Sequence, residues 1–231
     1  MNKYKLIEKI EKIAPNETQE PWDCSGWIVD CENSIDVKKV MLAVTITDDV
    51  VNQARKNGCD LIISHHPLFN VPIEYKDVQM YCAHTNLDKA IGGTTDTLID
   101  ELHLDVKFFE IEEFVRYIEL KEKMPLNNLL KQVKRLSKIA RYVNNGRKTY
   151  VKKIALCAGS GSEFIKDAEE KKYDVFITGD LKYHTAVDSK IVLIDVGHFE
   201  SEKPVLKTLH KILQDDVELI YAKEKSPFNS I

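Results

Sequence analysis

KKVMLAV at Lys38–Val44 returns as KKIALCA at Lys152–Ala158, 114 residues further along the chain. At the same offset Ala54 meets Ala168, Asp60 meets Asp174, and LIIS (Leu61–Ser64) meets VFIT (Val175–Thr178). The register runs on without a gap until His84 meets His198 and Asp88 meets Glu202. Nine positions are identical between Lys38–Asp88 and Lys152–Glu202, and apolar positions match apolar ones along each strand-like run. This self-match predicts an ancient duplication that gives two similar lobes related by an approximate two-fold axis.

Around these segments, short β-branched runs alternate with helical stretches. Val40–Ile46, Leu61–Ser64, Val78–Ala83, Ile154–Ala158, Val175–Thr178 and Ile191–Val196 read as buried strands. Asp49–Asn57, Thr94–Leu102, Leu126–Ser137, Glu163–Lys171 and Lys203–Leu213 read as helices. The alternation predicts an α/β class with mixed, largely parallel sheets. Asn144-Asn145-Gly146 between Arg141–Val143 and Thr149–Val151 has the form of a hairpin turn. Met124-Pro125 follows a charged run and precedes a new amphipathic helix, which sets a boundary between a first repeat over 1–124 and a second over 125–231.

The 231 residues are 43% apolar and 30% charged, an ordinary globular balance, and the net charge of −4 argues against a dedicated nucleic-acid binder. The charge is uneven, because no Asp or Glu lies between Glu122 and Glu163, a stretch with nine Lys or Arg from Lys131 to Lys153. A solvated face is the plain reading of such a run, and an electropositive wall for an anionic ligand the sharper one. Tyr142 and Tyr150 are its aromatic residues, few for stacking bases. The five cysteines (Cys24, Cys31, Cys59, Cys82, Cys157) lack CxxC spacing and read as reduced thiols of a cytoplasmic protein. The first residues, MNKYKLIEKIEKIAP, form an amphipathic helix pattern without the apolar core of a signal peptide. No window reaches the roughly 18–20 apolar residues of a membrane span.

In open α/β sheets, ligands gather beyond the carboxyl ends of the strands. His65 and His66 follow the strand Leu61–Ser64 directly, and His198 follows Ile191–Val196, so facing lobes would bring these ends to one cleft. Consecutive residues of an extended chain point to opposite sides, so His65 and His66 are expected to serve two neighbouring ions, or one ion and its outer contacts. His84-x3-Asp88 and His198-x3-Glu202 each place two side chains on one helical face, in reach of one cation. Either alone could be a helix cap with a surface carboxylate; their recurrence beside the tandem histidines favours metal ligation. Imidazole with carboxylate suits zinc, iron or manganese. Ser160-Gly161-Ser162 follows a strand and opens a helix, a place where backbone amides close on phosphate, although GSG also serves as a simple tight turn. Thr178-Gly179-Asp180 occupies the position corresponding to the tandem histidines, and Asp180 is a candidate for substrate or a helix cap.

ISHHPLF (Ile63–Phe69), AHTNLD (Ala83–Asp88), ITGDLKYH (Ile177–His184) and GHFESE (Gly197–Glu202), with PWDCSGW (Pro21–Trp27), resemble the NIF3-like, dinuclear metal centre, hexameric proteins over nearly the whole chain. The resemblance implies two intertwined α/β repeats, a toroidal homohexamer, and two divalent metal ions per subunit on His65, His66, Asp88, His198 and Glu202. The chain corresponds to the short form, without the domain that some members insert between repeats. One departure is that the family's D-x-T after the second strand reads Thr45-Ile46-Thr47 here. Trp27, where the family commonly has Leu, is a milder packing change.

Members are often labelled GTP cyclohydrolase 1 type 2 homologues. The resulting expectation is a metal-dependent hydrolase of a nucleotide-like or other phosphorylated small molecule. His84 or His184 would move protons, while Ser160, Gly161 and Asp180 would meet the ligand. The alternative is a non-catalytic metal-carrying scaffold that binds a regulatory partner.

Overall fold

The computed structural model describes residues 1–31 and 35–228. In the first part of the chain run α1 (Lys3–Glu11), β1 (Gly26–Val29), β2 (Lys39–Ala43), α2 (Asp48–Asn57), β3 (Leu61–Ser64), β4 (Gln79–Cys82) and α3 (Thr85–Lys89). There follow α4 (Thr94–Glu101), β5 (Val106–Glu112), β6 (Val115–Pro125), α5 (Leu126–Leu136), β7 (Arg141–Val143) and β8 (Tyr150–Leu156). Then come α6 (Ile165–Glu170), β9 (Val175–Thr178), α7 (Tyr183–Asp188), β10 (Val192–Asp195), α8 (His198–Glu202), α9 (Leu206–Leu213) and β11 (Glu218–Tyr221).

Two compact units result. The first takes Met1–Gly93 together with Val205–Lys225, and the second is built on Thr94–Pro204. The boundary expected at 124/125 falls inside β6, where Met124 and Pro125 pair with Val151 and Tyr150 of β8, so a cut there would divide a sheet. Among the described residues the strands form two sheets, ordered β1-β4-β3-β2-β11 and β5-β6-β8-β9-β10-β7. The protein is α/β as expected, and the duplication is visible in the pairing. In the first unit β2, β3 and β4 run parallel, with β1 antiparallel on β4. In the second β8, β9 and β10 run parallel, with β7 antiparallel on β10.

Identical residues at the 114-residue offset have identical duties. The Asp60 carboxylate accepts from the amides of Lys38 and Lys39 at 2.8 and 3.0 Å. Asp174 accepts from Lys152 and Lys153 at 2.9 and 3.0 Å. Each carboxylate thus satisfies the amides at the start of a parallel strand. The repeat is not gapless, however. Ser64 pairs with Cys82, whereas its counterpart Thr178 pairs with Asp195, so the second copy is one residue shorter between these strands. Gly197, at φ 87°, supplies the extra residue that brings His198 back into register with His84. A second correction concerns the expected hairpin. Arg141–Val143 pairs with β10, whereas Tyr150 and Val151 pair with β6, so Asn144-Asn145-Gly146 connects strands that do not pair with each other.

The cores follow from the two-residue period of the strands. In the first unit Met41, Ala43, Ile62 and Met80 pack with Val50, Val51 and Ala54 of α2. In the second, Ile154, Leu156, Val175, Ile177, Val192 and Ile194 share one cluster with Leu98 of α4 and Leu129 and Val133 of α5. The alternate residues Ala155, Cys157, Phe176 and Leu193 pack with Ile165 and Ala168 of α6. Each Val, Leu, Ile, Phe or Met among them, fully buried, contributes about 1.5–3 kcal/mol.

The two copies end their first helix differently. After α2 comes Gly58 in the left-handed conformation, φ 63°, donating to Ala54 and Arg55 carbonyls. The equivalent residue after α6 is Lys172, at φ 59°, a conformation costly for a side chain with a Cβ. Lys172→Gly is expected to raise stability by about 0.5–1 kcal/mol, measured as a higher urea midpoint with unchanged slope. An unchanged or lower midpoint would contradict it.

Candidate metal centre

In the first unit the candidate residues stand where β3 and β4 end. The strand stops at Ser64, whose hydroxyl donates to the His66 carbonyl at 2.9 Å. The amides of His65 and His66 still reach the Ala43 and Val44 carbonyls, at 3.1 and 2.7 Å. Because the chain bends here, the two rings do not point to opposite sides as expected. Their centroids lie 5.0 Å apart, and that of His84 lies 5.2 Å from His65 and 5.6 Å from His66. One potential ligand atom from each of these three histidines falls within 4.8 Å of the others. Asp88 joins them, its Oδ1 at 3.5 Å from His65 Nε2.

Each ring is held from outside by Nδ1. His65 is fully buried, with Nδ1 at 3.0 Å from the Ala83 carbonyl oxygen. A carbonyl only accepts, so Nδ1 carries the proton and Nε2 the lone pair. His66 Nδ1 lies 2.8 Å from Thr45 Oγ1. His84 Nδ1 lies 2.9 Å from Asp23 Oδ1. Burial works to raise the Asp23 pKa, but hydrogen bonds with His84 and Thr85 win and hold it well below the usual carboxylate range.

In the second unit the pair His198 and Glu202 sits within the single helix α8, Nε2 to Oε1 3.1 Å. His198 Nδ1 lies 2.7 Å from Asp180 Oδ2. Asp180, at φ 52°, therefore stands beside the candidate ligand and holds its ring. The backbone packs closely around the pair. A Cβ on Gly179 would lie 2.7 Å from the His198 amide nitrogen, and one on Gly159 would lie 2.3 Å from Glu202 Oε1. Imidazole lone pairs and carboxylate oxygens are the donors that zinc, iron or manganese accept, so the residues of both units fit a divalent cation.

Other expected site residues stand differently. The amides of Gly159 and Gly161 donate to the Ser201 and Thr178 hydroxyls, both at 2.8 Å, and Ser160 between them is exposed. His184 is exposed on α7 with its ring edge against Tyr183, and no described polar contact joins it to His198. Three of the nine basic residues of the acid-free stretch pair with acids elsewhere in the second unit. Arg141 binds Asp195, Lys148 binds Asp174, and Lys152 binds Glu119. Asp23 and Glu224 were not foreseen as site residues; the Pro21–Trp27 motif was the one signal for Asp23, and Glu224 had none.

The neighbours Glu202, first, and Asp180 raise the His198 pKa to about 9 against the opposing effect of burial. The folded chain thus binds this proton more tightly than the unfolded chain, whose histidines titrate near about 6.5. In chelator-treated protein that stabilisation is complete below about pH 6.5 and is lost as pH rises through 9. The melting temperature is expected to fall over that window, and to fall less in His198→Gln. Equal slopes for the two proteins would refute the assignment.

A family model described as Duf34/NIF3 (NGG1p interacting factor 3) matches residues 1–227. The chain belongs to this family. It is 34% identical to the GTP cyclohydrolase 1 type 2 homolog of Clostridium perfringens, with 98% of each chain covered. It is 27% identical to the NGG1-interacting factor 3 of Saccharomyces cerevisiae, over 92% of this chain and 90% of the yeast protein. The crystal structure of a Bacillus cereus protein related to NIF3 has the same fold, with TM-score 0.85 at 21% identity, over 100% of this chain and 99% of the other. Thr45, where the resemblance leads one to expect Asp, has Oγ1 at 2.8 Å from His66 Nδ1. An Asp would only accept and would fix the proton on Nδ1; a hydroxyl accepts or donates and fixes neither tautomer. The backbone at Thr45 is pinned instead, since the Glu224 carboxylate accepts from the Val44 and Thr45 amides at 2.7 and 2.8 Å. No described helix of this NIF3 family member is long and apolar enough to cross a membrane.

Proposed function

We propose that this chain binds two divalent cations through His65, His66, Asp88, His198 and Glu202, and uses them to hydrolyse a nucleotide-like or other phosphorylated small molecule. The observation that carries the reading is that each unit, taken by itself, presents imidazole and carboxylate beyond the end of a parallel strand, with the rings held through Nδ1. A bound divalent pair would supply a hydroxide at neutral pH by lowering the pKa of water. The chain's own residues orient the ligands. Ala83 fixes the His65 tautomer, and Asp180 holds His198 so that Nε2 faces Glu202. The exposed His184 is a candidate for moving protons, and Ser160 and Asp180 for meeting the substrate. The resemblance to hexameric members supports a toroidal homohexamer, six copies of 26.5 kDa.

The test joins elemental analysis of untreated protein to turnover of a broad nucleotide panel by metal-loaded protein. Two equivalents of metal per chain are expected, with hydrolysis that chelator and His65→Ala both abolish. Metal retained with no hydrolysis across the panel would overturn the enzymatic reading in favour of a metal-carrying scaffold, a role that the name of the yeast relative keeps in view.

A further inference from the structure

We infer that His84 is a third imidazole ligand of the first unit, with Nε2 directed at the cation and its tautomer set by the buried carboxylate of Asp23. The inference rests on the cation binding proposed above, not on hydrolysis, and goes beyond the five ligands given by the resemblance.

Three observations converge on it. The first is proximity. Two nitrogens on one tetrahedral zinc ion, each about 2.0–2.1 Å from it, stand about 3.3–3.4 Å apart. The potential ligand atoms of His65, His66 and His84 lie within 4.8 Å of one another, so a closure of about 1.5 Å between rings brings them onto one ion.

The second is the repeat. His84 is the counterpart of His198. Both stand at the start of a short helix with a carboxylate four residues on, Asp88 in one copy and Glu202 in the other. Both have Nδ1 against a carboxylate oxygen, at 2.9 Å from Asp23 and 2.7 Å from Asp180. Asp23 precedes the repeat, whereas Asp180 lies within it and corresponds to His66. Two unrelated chain positions thus supply the same outer contact to equivalent rings. A carboxylate on the far nitrogen is the usual partner of a metal-bound imidazole, because it fixes the tautomer and raises ligand basicity.

The third is how Asp23 itself is held. Its side chain is fully buried. Oδ2 accepts from the Thr85 amide at 3.0 Å and lies 2.9 Å from the Ser25 hydroxyl; Oδ1 takes the Cys24 amide at 2.7 Å as well as His84. Capping α3 needs only Oδ2, and Oδ1 remains to keep the proton on His84 Nδ1.

Asp23→Asn disturbs this arrangement. Oδ2 faces the Thr85 amide and hydroxyl and Oδ1 the Cys24 amide, so either orientation of asparagine sets its NH2 against one backbone donor; with the amide oxygen kept on the Thr85 side, the NH2 turns to His84. His84 Nδ1 must then accept, the proton moves to Nε2, and Nε2 can no longer bind a cation. Two measurements follow on full-length protein, both with readouts other than turnover. In chelator-treated protein, long-range nitrogen–proton NMR is expected to show His84 protonated on Nδ1 in wild type and on Nε2 in Asp23→Asn. In a Co²⁺ titration, Asp23→Asn and His84→Gln are each expected to weaken uptake about 10–100-fold and to shift the visible absorption of the bound ion.

Should Asp23→Asn not fold, His84→Gln decides, because its amide keeps a donor toward Asp23. Folded variants with wild-type Co²⁺ affinity and spectrum would overturn the inference and leave the five-ligand centre standing. Failure of wild type to take up Co²⁺ would remove that centre and this inference together. Cation uptake without hydrolysis sinks only the enzymatic reading.

Discussion

Gly159→Ala is expected to lower cation uptake by His198 and Glu202 at least tenfold while the chain stays folded. Gly159 has φ 67°, and a Cβ there would lie 2.3 Å from Glu202 Oε1, the oxygen that meets His198 Nε2 at 3.1 Å. Ordinary carbon–oxygen contact needs more than an ångström beyond that, and the obstacle is the mobile end of a side chain. The carboxylate therefore swings away and the pair with His198 opens. The backbone pays separately for a left-handed alanine, about 1–2 kcal/mol, an affordable loss against the 5–15 kcal/mol or so that holds an ordinary domain. Isothermal titration with Zn²⁺ and a thermal melt separate the two effects. Unimpaired uptake in a folded variant would show that Glu202 does not ligate. Gly179 makes a useful contrast, since a Cβ there meets the backbone of His198 and Gly159, and the resulting shift would move the ring itself.

Asp96→Ala is expected to be the most destabilising of the substitutions considered. Arg116 on β6 is fully buried, with Nε on Asp96 Oδ1 and Nη1 on the Glu113 carbonyl at 2.8 Å. Removing the carboxylate takes the Asp96 charge away from a guanidinium in a medium of low polarity, which costs about 3–5 kcal/mol. For a chain of this size that corresponds to a fall in melting temperature of roughly 6–20 °C. Asp96→Ala combined with Arg116→Met removes both charges and should recover most of the loss. A double variant as unstable as the single one would show that the damage lies in packing and not in the lost ion pair.

What could be read from the chain alone depended on how local its cause was. The parallel strands β2, β3, β4, β9 and β10 and the Ile154–Leu156 end of β8 are buried almost throughout, so their apolar runs and the repeat between them were legible. The pair His198 and Glu202 was legible for the same reason, four residues within one helix. β5 and β6 were not, because β5 is almost wholly exposed and its Lys and Glu residues obscure the alternation. The division at Gly93 was hidden as well, since it depends on a return of the chain more than 100 residues later. Asp23 and His84 are 61 residues apart, and only the folded loop tells that one holds the other. The tandem histidines were found but misoriented, because a strand rule was applied one residue past the strand's end.

The return of Val205–Lys225 to the first unit carries a consequence for biosynthesis. β11 lies parallel to β2, and Glu224 beyond it pins the loop that positions Thr45 against His66. A growing chain makes residues 1–93 first, yet the ribosome must finish the whole of the second unit before that loop can be fastened. The cluster encoded earliest is thus among the last to be completed, and a nascent or truncated chain ending short of Glu224 carries its tandem histidines on an unpinned backbone.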